Sequence, residues 1–166
     1  MHFNQLYIII ISILGFLLLL SYGYYIQNDK KTPQLWGKIK GNLLNIYYAS
    51  MILSAIGFLL LFWFLIKSDA FNETNSKNLF IALLGIILFS MLWMPFSLEY
   101  IKTKSNVYKY LVLSVLFMVA FSSFMTLVIL YNIKDNSKLL ALLGMLYFFI
   151  HVFFFDFIIW SYNVLQ

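Results

Sequence analysis

Five apolar stretches, each about 20 residues long and joined by short polar connections, constrain this chain more than anything else in it. At about 1.5 Å of rise per residue, each is long enough as a helix to cross a hydrocarbon core of roughly 30 Å. A helix also satisfies its own backbone hydrogen bonds, which lipid demands. The sequence therefore predicts an all-α polytopic membrane protein, a bundle of five transmembrane helices in a single domain over residues 1–166. The spans fall at 6–26, 43–66, 79–98, 110–132 and 139–162. The first reads as a retained helix rather than a signal peptide. It is longer than an h-region, lacks a basic n-region, and SYGYYIQNDKK supplies no small-residue cleavage site.

Composition agrees: 63% of residues are hydrophobic and only 10% charged, against roughly one-quarter charged in soluble domains. Every basic residue other than His is Lys. Without Arg the chain lacks the planar fork that grips phosphates and base edges, so nucleic-acid binding is set aside despite a net charge of +5. Without Cys there is no disulfide, thiolate nucleophile or zinc-thiolate site. Seven Lys flank the first and third connections and four flank the second and fourth. The positive-inside rule then puts the N-terminus outside and the C-terminus in the cytosol. Trp36, Tyr47, Tyr48, Trp63, Tyr100, Tyr108, Tyr131 and Trp160 fall near span ends, where amphipathic rings anchor at headgroup depth.

The polar residues inside the spans carry the functional information. Asp156 stands in HVFFFDFIIW, where a carboxyl costs about 2.5 to 3.5 kcal/mol unless it meets a partner, a cavity or water. It is either a protonated or water-reached group near the interface or a cavity-facing functional group. His151 precedes it by five residues, about 140° around an α-helix, so the pair is not expected to share a face. Tyr147 does share the face of His151, which favours a Tyr–His hydrogen bond within the helix or to a neighbour. His151 reads as a neutral hydrogen-bonded side chain or as an iron ligand to a tetrapyrrole.

In the third span, Pro95 is expected to kink the helix beside Trp93 and Phe96, opening a gap suited to a flat apolar ligand. In the second, Ser50, Ser54 and Gly57 recur at helical spacing, a stripe that admits close helix approach within the chain or to a second copy in a homodimer. Ser122, Ser123 and Thr126 offer a similar surface in the fourth. No Ser-His-Asp elbow, carboxylate pair or Gly-rich phosphate loop is present, so catalysis is not the expected role.

These features resemble the translocator protein family, also called tryptophan-rich sensory proteins. The likeness rests on five spans with short loops, on Pro33 and Trp36 leading to Tyr48-Ala49-Ser50-Met51, on Ser90, Trp93, Pro95 and Phe96, and on Asp156 four residues before Trp160. The chain departs from that pattern in its Pro-poor first loop, in Ser90 where Asn is typical, and in Gly144 and Phe148 early in the fifth span. The resemblance implies a pocket beneath the first loop that binds tetrapyrroles or sterol-like molecules, with no cofactor required. Trp36, Tyr48, Trp93 and Asp156 would line it, with Phe96, Tyr147, His151 and Trp160 around it. The competing expectation is a structural or assembly subunit of a larger membrane complex, with no ligand of its own.

Overall fold

The computed structural model describes residues 3–165 and contains five helices long and apolar enough to cross a membrane. They are α1 (Gln5–Asn28), α2 (Asn42–Lys67), α3 (Glu73–Thr103), α4 (Asn106–Asn132) and a fifth unit that changes geometry along its length. That unit is α-helical as α5 (Leu139–Ile150), π-helical over His151–Trp160, and α-helical again as α6 (Ser161–Val164). The five-helix expectation holds.

The ends differ from the sequence expectation, most of all at α3, which runs well beyond residues 79–98 in both directions. Polar caps explain the extension. Asn72 accepts a hydrogen bond from the Asn75 amide (2.7 Å), and Glu73 stands in the first turn where the helix dipole favours a negative charge. At the other end Lys104 takes a left-handed conformation (φ 53°) that stops the helix. Asn4 and Ser105 cap α1 and α4 in the same way. Hydropathy does not register such polar turns. α3 also continues through Pro95.

Small residues set the closest helix contacts. Gly57 of α2 meets Gly144 of α5 so tightly that a Cβ on Gly57 would lie 2.2 Å from the Gly144 carbonyl oxygen. The stripe of Ser50, Ser54 and Gly57 is thus buried inside the chain, with Gly57 against α5. Ser122, Ser123 and Thr126 are likewise buried, and Ser122 touches the open side of Gly85 on α3.

α1 is different. Only 6% of its most apolar window is buried, and it packs mainly on α3. It is fastened near its ends: Tyr7 stacks on Phe80 (ring centroids 4.1 Å apart), and the Tyr22 hydroxyl donates to the Ser90 carbonyl (2.8 Å).

The connection from α1 to α2 folds over the lysine-rich end of the bundle as a short 3₁₀ helix, Thr32–Trp36, with Pro33 in its first turn. Leu35 is buried, and its carbonyl accepts from Trp160 Nε1 (2.7 Å). Gly37 follows at φ 50°, and a Cβ there would lie 2.6 Å from the Asn163 carbonyl oxygen, so both backbone shape and space require glycine.

Asp29 adds an ionic tie to Lys102 of α3 (2.9 Å). The Lys102 ammonium, then the Lys31 amide, hold the Asp29 carboxyl below the usual carboxylate range. On the opposite face the Ser68 hydroxyl, followed by Ser137, does the same for Asp135, joining the second and fourth connections. A carboxyl depressed in the folded state stabilises it above the unfolded pKa of about 4, and that contribution disappears as pH falls through the lower folded value. The melting temperature should therefore fall between about pH 5 and pH 3. Asp29→Asn should start lower at neutral pH and fall less across that window. Parallel pH curves for the two proteins would show that the Asp29–Lys102 tie contributes nothing.

Candidate functional site: a cavity polar at one end

A cavity of about 620 Å³ lies between α1, α2, α3 and the π-helical segment, with Leu116 and Val119 of α4 behind it. It spans the depth from Tyr47 to Phe62 on α2, about 22 Å along the helix axis. Phe58, Phe62, Ile86, Ile87 and Phe148 make its deeper walls apolar. Leu19 of α1 and Leu59 of α2 line it and are also highly exposed, so its side is open between these two helices at lipid depth.

The other end, under the first loop, is polar. Tyr47 donates a hydrogen bond to Asp156 Oδ1, and His151 Nε2 faces the same oxygen at 3.6 Å. His151 Nδ1 lies 2.8 Å from Ser50 Oγ, which also contacts the Tyr147 hydroxyl at 3.2 Å. The following assignment satisfies the whole chain of contacts. Tyr147 donates to Ser50, Ser50 donates to Nδ1, and a neutral His151 presents Nε2–H toward Asp156.

The π-helix creates this cluster and corrects the expectation that His151 and Asp156 point apart. Hydrogen bonding from i to i+5 places residues five apart nearly above one another, where an α-helix separates them by about 140°. The expected Tyr147–His151 bond is also replaced: both side chains reach Ser50 of α2, which bridges them. His151 stacks on Phe155 (5.5 Å), and Phe149 of α5 stacks in series with Phe153 and Phe157 of the π-helical segment.

Of the eight residues expected from sequence to form the pocket, Trp36, Trp93, His151 and Asp156 line the cavity. Tyr147 stands behind it, bonded to Ser50. Tyr48 does not line it: the side chain is 42% exposed, with its ring edge on Trp36 (4.9 Å). Phe96 turns to Tyr108 of α4 (6.4 Å), so the space beside Pro95 is shared between the cavity at Trp93 and helix packing at Phe96. Trp160 is 1% exposed and serves as the pin for Leu35, with its ring against Trp93 (5.3 Å).

Sequence reasoning missed Tyr22 and Tyr47. Both lie near span ends, where an anchor and a cavity tyrosine look alike. The signal available was helical phase: Ile11, Gly15, Leu18 and Tyr22 form one stripe on α1, all on the cavity.

Trp93 Nε1 is buried with no hydrogen-bond partner among the described residues, a cost of about 1–3 kcal/mol unless a bound group or water accepts from it. No three His, Asp or Glu side chains gather as a metal-binding set among the described residues. An axial bond from His151 to iron would have to displace Ser50 from Nδ1 or Asp156 from Nε2. No family model, curated protein or solved structure matches the chain.

Proposed function

We propose that this five-helix membrane protein binds a small, largely apolar molecule with one polar end, of tetrapyrrole or sterol-like size, in the cavity beneath the first loop. One observation carries the reading: the cavity is apolar over most of its length and ends in converging polar groups on Tyr47, His151 and Asp156. That is the arrangement of small-molecule sites, where apolar walls supply affinity and a few placed polar atoms fix orientation. Its volume of about 620 Å³ falls in the usual range for such sites. The aromatic rings of Trp36, Trp93 and Tyr22 suit a flat body. The open side between α1 and α2 suits a ligand that arrives from the bilayer. Under the positive-inside rule the polar end lies on the cytosolic side.

Two of the four tryptophans line the cavity, so a bound chromophore or quencher should report on it directly. Titration of the detergent-solubilised protein with protoporphyrin and with a sterol analogue should give saturable quenching by at least one of them. Gly15 provides the control, because a Cβ there meets nothing within 4 Å while its helix face lines the cavity. Gly15→Phe should keep the melting temperature and weaken binding by about tenfold or more, since the ring occupies ligand space. Saturable binding unchanged by Gly15→Phe would place the ligand elsewhere. No saturable binding by folded wild type would favour the assembly-subunit alternative.

A further inference from the structure

The polar end of the cavity is chemically one-sided. Asp156 Oδ1 accepts from Tyr47 and faces His151, but Oδ2 has no hydrogen-bond partner among the described residues, and the Asp156 side chain keeps 23% of its surface open where it lines the cavity. None of the eleven lysines lines the cavity, so among the described residues His151 is the one lining group that could balance a carboxylate. In the assignment given above that imidazole is neutral: Nδ1 accepts from Ser50, whose own oxygen accepts from Tyr147, and Nε2 carries the proton. Every polar contact of the cluster thus delivers a hydrogen-bond donor toward Asp156 and none delivers a full positive charge. In its ionised form Asp156 calls for a cation at this depth, and no lysine among the described residues lines the cavity to supply one.

We propose that the occupant supplies it: the cavity selects lipophilic organic cations, molecules with an amine or amidine nitrogen at one end of an apolar body, seated with that nitrogen against Asp156 Oδ2. The proposal rests on the ligand-binding reading above and adds the charge of the ligand's polar end. The surrounding rings fit the same chemistry. Trp36, Tyr47 and Trp93 stand around the carboxylate end, and aromatic faces attract a desolvated ammonium. An N–H donor also matches the free oxygen geometrically, whereas a ligand carboxylate would meet Asp156 as a like charge. A tetrapyrrole bound here must turn its propionates away from Asp156, toward the lysine-rich loop that carries Lys30, Lys31, Lys38 and Lys40.

Three probes that share a body and differ in the end group decide the matter: pyrenebutylamine, pyrenebutanol and pyrenebutyric acid. Each is titrated at neutral pH into wild-type protein in an uncharged maltoside detergent, with tryptophan quenching as readout. The amine should bind about tenfold or more tighter than the alcohol, with the acid weakest. Asp156→Asn should bring the amine down to the affinity of the alcohol and leave the alcohol unchanged. Equal affinities of amine and alcohol in wild type would overturn the cation selectivity while leaving the cavity a ligand site. Failure of all three to bind saturably would remove the ligand reading along with it. Because Asp156→Asn also deprives Tyr47 of its acceptor, its fold is checked by thermal melting, and the wild-type ranking decides if the variant does not fold.

Discussion

Gly57→Val is expected to unseat α5 from α2 and to cost about 3 kcal/mol or more, the upper range for overpacking a close contact. The Cβ of any residue at 57 would lie 2.2 Å from the Gly144 carbonyl oxygen and 2.8 Å from its carbonyl carbon. These are backbone atoms, so no rotamer change relieves the clash and the helices must separate. Separation would also pull Ser50 away from His151 and Tyr147, since the same two helices carry the bridge. The variant should therefore show a lower melting temperature in detergent and a broadened size-exclusion peak. The pair offers a sharper test. Gly57→Ala and Gly144→Ala each force the helices apart, so the double variant should lose less stability than the two single losses together. Strict additivity, or wild-type stability in either single variant, would mean that the two backbones are not in contact.

Trp160→Ala should have an effect of similar size through a different mechanism. The ring is 1% exposed, its Nε1 donates to the Leu35 carbonyl at 2.7 Å, and it packs against Trp93. Removing a buried Trp costs about 3–5 kcal/mol, and here it also frees the loop over the polar end of the cavity. Trp160→Phe isolates the pin, because it retains most of the buried ring and leaves the Leu35 carbonyl unpaired, a loss of about 1–3 kcal/mol. Trypsin provides a local readout at Lys30, Lys31, Lys38 and Lys40. Both variants should be cut in this loop faster than wild type, the Ala variant more so. Cleavage at the wild-type rate in Trp160→Ala would show that the loop is held by other contacts.

Much of this architecture was legible in the sequence because lipid imposes simple requirements on a chain. The five spans follow from apolar length, and Asp156, His151, Trp36 and Trp93 stand out as polar or amphipathic groups that need a reason for their place. What remained hidden depends on geometry that composition does not mark. HVFFFDFIIW contains neither Gly nor Pro, so nothing in it announces i→i+5 bonding, and α-helical arithmetic set His151 and Asp156 apart. The choice between Tyr47 and Tyr48 is a matter of about 100° of helix phase, which a boundary uncertain by one residue cannot resolve. Ser50 is visible as a small residue, and its hydroxyl matters because His151 and Tyr147 both reach it. Trp160 was placed at the site by its spacing from Asp156, and the fold uses it to hold the loop instead.

The attachment of α1 has a consequence for the membrane around it. This helix of 24 residues is about 36 Å long, and α3 with 31 residues is about 46 Å, both longer than the hydrocarbon core. A span longer than the local bilayer accommodates by tilting, and the two helices have different excess lengths to absorb. Because α1 packs mainly on α3 and little of it is buried, acyl-chain length enters the angle between them. The width of the gap between α1 and α2 is then set jointly by the protein and by the thickness of its host bilayer, and lipid chains close the open side of the cavity.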